Sequence, residues 1–268
     1  MGILYYFIEM TFEKILKNSW NDYKKNFKSI FNFMFVFKGI PIILFTLISI
    51  YFIFNDTNVY NLFISEINYN NPTLPWYYLI TSWIFGLIML LLFLFISGAL
   101  TSLSLRKTKF SYKELTKEGR SVFSKYLLYN IVYVFFLFLL FLLLIIPGII
   151  FFVYWIFSPY VLFDKKKTIS QSLKESRYIV KGRWWKVFGY ISLIALIYLG
   201  IAIIFGIISL PFYIIQFMST FNGTILSPRF FVFSSIFSAI SSFLTELVAL
   251  PLNILFFKNF YSELKKKR

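Results

Sequence analysis

Between Tyr126 and Phe163 the chain carries no charged residue. As one helix this run would extend about 57 Å, whereas the hydrocarbon core of a bilayer is about 30 Å thick. It is too long to cross once, so it must fold back. Pro147-Gly148 is the turn signal inside it, with the proline suited to the first turn of the second helix. A soluble domain could not hide such a run, and the composition agrees. Of 268 residues, 59% are hydrophobic and 14% charged, against usual values of about 45–50% and about 25%. The sequence predicts an all-α, polytopic helical membrane protein. With no Cys and no His, disulfides, thiolate nucleophiles, imidazole bases and the usual zinc sites are removed, and nothing calls for a cofactor. The first residues, MGILYYFIEMTFEK, lack a basic region and a small-residue cleavage site, so they do not read as a signal peptide.

Hydropathy places six spans, at about 31–54, 76–105, 126–146, 149–163, 187–210 and 230–257, in a single integral membrane domain covering 1–268. A kink is expected at Ser158-Pro159. Pro211 is expected to end the fifth span, and an uncharged loop containing Asn222-Gly223 to follow it. A second loop, 55–75, holds Asp56 and Glu66 but no Lys or Arg. Three amphipathic segments, 11–30, 110–124 and 168–182, are expected to lie as helices in the membrane interface. In the first of them Phe12, Leu16, Trp20, Tyr23, Phe27 and Ile30 recur at helical spacing. In the third, Ile169, Leu173 and Val180 form the docking face, Gly182 stops the helix, and Trp184 and Trp185 anchor the start of the next span. The first and third segments align without gaps and share five residues, among them Leu16 with Leu173 and Ser19 with Ser176. This suggests three units, each a surface helix followed by a transmembrane hairpin.

The net charge of +16 is a topology signal rather than a nucleic-acid footprint. With six spans, 26 of the 27 Lys and Arg fall on one side and only Arg229 on the other. The positive-inside rule then places both termini, and the basic tail 258–268, in the cytoplasm of a cell-membrane protein. Lys38, near the inner end of the first span, is expected to snorkel toward water. Anionic lipid headgroups on the cytoplasmic side are the expected partners. No nucleic acid is expected, no protein partner can be named, and a homo-oligomer is left open.

Two stretches, IPGIIFFVYWIFSPYVLF and SLKESRYIVKGRWWKVFG, carry a resemblance to a family. They resemble the membrane domain that precedes some glycerophosphoryl diester phosphodiesterases, and the related YciC-like membrane proteins of uncharacterised function. The matching residues are Pro147, Gly148, Ile149, Ser176, Lys181, Gly182, Trp184 or Trp185, and Phe188, with Arg183 between the glycine and the tryptophans. The C-terminal FYSELKKKR is similar to the family's closing Tyr-x-Asp-Leu-Arg, with Tyr261, Glu263, Leu264 and Lys265 in its slots. Glu replaces Asp and Lys replaces Arg. The phosphodiesterase's catalytic barrel is absent, so the resemblance implies a membrane architecture and a cytoplasmic interface motif, without the activity.

Catalytic groups are scarce. Glu114 and Glu118 lie one helical turn apart, but Lys113 and Lys117 beside them mark a solvated face. Glu246 stands out, inside the sixth span between Arg229 and Lys258. A charge at such depth costs about 2.5–3.5 kcal/mol on insertion scales. At 100° per residue Ser235, Ala239, Ser242, Glu246, Ala249 and Asn253 share one face, which should look into the bundle. With no Lys or Arg expected at that depth, two readings stand. Glu246 is a protonated group that hydrogen-bonds a neighbouring helix, with Tyr154 and Tyr198 as donors at suitable depth, or it is a proton or cation site. The corresponding functions are a non-enzymatic structural, accessory or lipid-organising role, and a small-solute or ion transporter using the polar face of the sixth span.

Overall fold

The computed structural model describes residues 2–55, 76–222 and 226–266. Apart from Asn55, the expected loop 55–75 lies outside them, as do Gly223 and the last two residues of the basic tail. Among the described residues there are helices and no strand. They are α1 (Gly2–Met34), a π-helical turn (Phe35–Gly39), α2 (Ile40–Asn55), α3 (Trp76–Arg106), α4 (Tyr112–Leu143) and α5 (Ile145–Trp155). There follow α6 (Ser158–Asp164), α7 (Ile169–Val180), α8 (Trp184–Gly206), α9 (Leu210–Asn222) and α10 (Pro228–Lys266). Six stretches are long and apolar enough to cross a membrane: Phe12–Asn55, Leu79–Arg106, Tyr112–Leu143, Ile145–Asp164, Trp184–Gly206 and Arg229–Lys266. The chain is an all-α, multi-pass membrane protein. It divides into two compact units, the first formed by Met1–Phe33, Leu94–Tyr198 and Ala249–Arg268, the second by Met34–Phe93 and Leu199–Val248.

In the first unit an aromatic and aliphatic core gathers Phe157, Val161, Val180, Val187, Tyr190, Phe256 and Phe260, all fully buried. Close helix approach depends on glycine here. A Cβ at Gly98 would meet the Tyr126 ring at 2.9 Å, and one at Gly119 would meet Phe95 at 2.6 Å. The buried face of α1 in this unit is Ile15, Ser19, Tyr23, Asn26 and Ile30, while Trp20 and Phe27 are exposed. The face therefore differs from the purely apolar one expected of an interfacial helix. Ser19 and Asn26 can sit on it because each is bonded. Asn259 Nδ2 donates to Ser19 Oγ at 3.0 Å. Asn26 donates to the carbonyl of Thr108 and accepts from the amide of Phe110, both at 3.0 Å. Those two bonds tie α1 to the turn between α3 and α4.

Two of the three expected interface helices are not separate helices. The segment 11–30 runs on through the π turn into the first span, and 110–124 is the first part of α4. The second junction contains no proline or capping residue; in the first, Pro41 lies just past the π turn, and the bond from the Ile40 amide to the Phe35 carbonyl carries the helix on. The third is separate. Thr168 begins α7 with a reciprocal capping box to Gln171, and Gly182 ends it at φ +79°, a conformation that costs a residue without Cβ nothing. Leu173 and Val180 are buried as expected, together with Ser172, Ser176 and Ile179.

The chain reverses three residues earlier than Pro147-Gly148. The extended residue is Leu144, at φ −160° and ψ 136°. Pro147 lies in the first turn of α5, where a missing N–H leaves no bond unmade. Gly148 is required by packing, since a Cβ there would meet the Phe141 ring at 2.5 Å. Gly148→Leu is expected to destabilise the protein by about 1–3 kcal/mol through overpacking. Phe141→Ala in the same chain should recover most of that loss, and unfolding in detergent compares the three variants. A double variant no more stable than Gly148→Leu would remove Phe141 as the reason for the glycine.

In the second unit, Phe45 stacks on Phe85 with centroids 3.7 Å apart, and Phe212 stacks on Phe237 at 4.9 Å. Ser241 donates to the carbonyl of Phe205 at 2.8 Å. The loop expected after the fifth span is instead mostly the helix α9. Pro211 falls in its first turn and starts it, with Ser209 accepting from the amides of Phe212 and Tyr213.

Candidate functional site

A charged pair lies inside the second unit. Lys38 sits in the π turn and forms an ion pair with Glu246 of α10. A π turn inserts one residue into a helix and redirects the side chains around it, and such turns recur at functional sites. Here Gly39 lets the turn close, with the Phe35 and Phe243 rings at 3.0 and 3.2 Å from where a Cβ would stand. Lys38 is only 7% exposed, and the Glu246 side chain is 27% exposed. Apart from Lys38, Glu246 Oε2 has no hydrogen-bond partner among the described residues. The expected snorkelling of Lys38 does not occur, because the redirected turn aims its stem at the carboxylate. The expectation that Glu246 meets no cation is corrected by the same contact.

The pair borders a cleft of about 600 Å³. On α2, Ile42, Thr46 and Ser49 line it, one turn apart in succession beyond Lys38. On α10, Ser235, Ser238, Ala239 and Ser242 lead up to Glu246, and α3 contributes Phe85, Met89 and Phe93. The four-residue spacing puts each set on one helix face. Four of the residues expected on the polar stripe of the last span, Ser235, Ala239, Ser242 and Glu246, therefore line one cavity. Tyr154, Tyr198 and Asn253 are not among its lining residues and belong to the first unit. There the Tyr154 carbonyl accepts from Ser176, Tyr198 is exposed, and Asn253 Oδ1 is buried with no hydrogen-bond partner among the described residues.

Chemically, the pair when opened would offer ammonium donors to an anionic group and carboxylate oxygens to a cationic one. The cleft's hydroxyls add neutral partners; Ser238 already pairs with the Tyr213 hydroxyl at 3.2 Å, and Thr46 donates to the Ile42 carbonyl. Among the described residues no three Asp or Glu come together as metal ligands.

The interface motif clusters in the first unit. Ser176, on α7, bridges the break between α5 and α6: its hydroxyl donates to the Tyr154 carbonyl at 2.7 Å and accepts from the Phe157 amide at 3.2 Å. Trp184 donates from Nε1 to the Ile150 carbonyl at 3.3 Å, Arg183 reaches the Leu264 carbonyl at 3.5 Å, and Trp185 and Lys181 face outward. Pro147 and Gly148 sit at the reversal described above. Sequence reasoning missed Asp164, which accepts from the Tyr261 hydroxyl at 2.8 Å and from Lys265 at 2.6 Å. Two residues of the closing Tyr-x-Asp-Leu-Arg-like motif thus converge on one carboxylate. On α7, Glu175 pairs with Lys165 and, at 3.5 Å, with Lys167. Burial pushes its carboxyl up, but the Lys165 hydrogen bond and the charges of both lysines outweigh it and hold the group below its ordinary value.

Compared with known protein families, with curated proteins and with solved structures, the chain matches none.

Proposed function

We propose that the protein is a non-enzymatic transporter of a small charged solute, which enters the second unit's cleft and exchanges with the internal ion pair. The solute's anionic group would sit on Lys38 and its cationic group on Glu246. The observation that carries this reading is the pair of a buried Lys38 and a partly buried Glu246 on the wall of a hydroxyl-bearing cavity. Removing two charges from water is expensive, and apolar residues of similar volume usually stabilise a fold as well or better. Ionisable groups within spans accordingly mark solute or ion pathways. The 26-to-1 split of basic residues supports a cell-membrane protein with both termini cytoplasmic. The resemblance to the membrane domain of glycerophosphoryl diester phosphodiesterases and to YciC-like proteins supports a membrane role without catalysis.

Uptake into vesicles tests this reading, with radiolabelled zwitterionic amino acids, small carboxylates and monovalent cations as probes. At least one class should accumulate above protein-free vesicles, and Glu246→Gln should reduce that accumulation at least tenfold. If none accumulates, or if Glu246→Gln transports like the wild type, the reading falls. A lipid-organising role stands as the second reading, favoured by the basic face of α7.

A further inference from the structure

We infer that the groove where α4, α5 and α7 meet in the first unit binds one anionic phospholipid, its phosphate held by Lys174 and Arg177 and its acyl chain lying along Val132, Phe136, Phe151 and Trp155. The groove has a volume of about 490 Å³. Its wall is apolar and aromatic, and its polar rim comes from one helix, α7. The two cations stand one turn apart on that helix and point to the same mouth of the groove. Neither forms an ion pair with a carboxylate among the described residues; Glu175 between them pairs with Lys165 and Lys167. Arg177 is positioned from below, its guanidinium lying 5.7 Å from the Phe151 ring centre and 5.6 Å from that of Tyr154. A guanidinium stacked in this way keeps its N–H edges free for phosphate oxygens.

Apolar wall and cationic rim together match an amphiphile with a negative head, and basic pockets between transmembrane helices bind such headgroups. A free phosphate ion would use the rim but leave the wall uncovered, and a zwitterionic lipid would cover the wall but leave the rim's charge uncompensated. α7 follows directly on a membrane-crossing stretch that ends at Asp164, so its side chains stand where headgroups lie. This site is in a different unit from the Lys38–Glu246 cleft, and the failure of either reading leaves the other standing.

Trp155, in the groove wall, is the reporter. The full-length protein is reconstituted in vesicles containing brominated phosphatidylglycerol or brominated phosphatidylcholine at matched mole fractions. The quenching due to Trp155 is obtained by difference from Trp155→Phe. Phosphatidylglycerol should reach half-maximal quenching at about five- to thirty-fold lower mole fraction, the effect of one to two cations beside a headgroup. Lys174→Gln/Arg177→Gln should abolish that preference while leaving quenching by phosphatidylcholine unchanged, which reports an intact fold. Lys117→Gln/Arg120→Gln, a basic pair elsewhere on the first unit, should retain it. Three results would overturn the site: equal quenching by both lipids, a preference that survives in Lys174→Gln/Arg177→Gln, or one lost equally in the control pair. Loss of the preference on adding inorganic phosphate would assign the rim to the free ion and overturn the lipid.

Discussion

Lys38→Met is expected to destabilise the protein by about 1–3 kcal/mol, because it leaves a partly buried Glu246, 27% exposed on the cleft wall, without its partner. Methionine preserves the stem's length and most of its contacts, so the loss reports charge rather than volume. Glu246 then stands with Oε2 buried and no hydrogen-bond partner among the described residues. Protonation of that orphaned carboxyl sets a ceiling on the cost. Glu246→Gln should be harmful for the mirror reason, because it strands an ammonium that is only 7% exposed. The double variant Lys38→Met/Glu246→Gln should recover most of either loss, since two neutral groups no longer need each other. A double-mutant cycle by unfolding in one detergent gives the coupling directly. Single losses below about 0.5 kcal/mol, or a double loss equal to their sum, would show an exposed and dispensable pair.

Ser176→Val is expected to cost about 2–4 kcal/mol. One hydroxyl serves both backbone groups freed where α5 gives way to α6, the Tyr154 carbonyl and the Phe157 amide. Ser176 and Phe157 are fully buried, so the Phe157 amide cannot turn to water, while Tyr154 is partly buried; each unsatisfied buried group costs about 1–3 kcal/mol. Ser176→Ala removes the same bonds without the extra volume and should lie at the lower end. Ser172→Ala is the control. Its hydroxyl is equally buried but donates only within its own helix, to the Ile169 carbonyl, and its loss should stay within about 1 kcal/mol. Equal losses at 172 and 176 would show that the bridge to the helix break adds nothing.

Long uncharged runs set the six crossings, because backbone in a bilayer must bond to itself. Gly182 was legible because a positive φ at a helix end selects a residue without Cβ. The reversal at Leu144 was not, because inside an all-apolar run the break carries no residue of its own. The proline that usually signals it serves the following helix. The polar stripe of the last span was legible from its 100° periodicity, and four of its members line the cleft. Its partner was not. Lys38 and Glu246 lie near opposite ends of the chain, and the π turn that redirects Lys38 inward is marked only by Gly39 and Pro41, which do not distinguish it from an ordinary helix kink. Ser19 and Ser176, aligned in the faint internal repeat, are both fully buried and both accept a hydrogen bond from outside their own helix. The repeat thus pointed to the right positions without revealing their role.

Passage of a charged solute through the cleft requires water at its wall beside Glu246. The chain has no cysteine, so a single thiol can be placed at will and its reaction with a charged methanethiosulfonate followed in vesicles. Ser242→Cys, on the cleft wall one turn from Glu246, should react within about tenfold of the rate at Lys117→Cys, an exposed site on a charged helix face. Leu47→Cys, exposed on α2 but outside the cleft lining, should be inert, because lipid rather than water covers it and charged reagents do not partition there. A Ser242 thiol as unreactive as the one at position 47 would contradict the account, since a dry wall leaves no route for a charged solute.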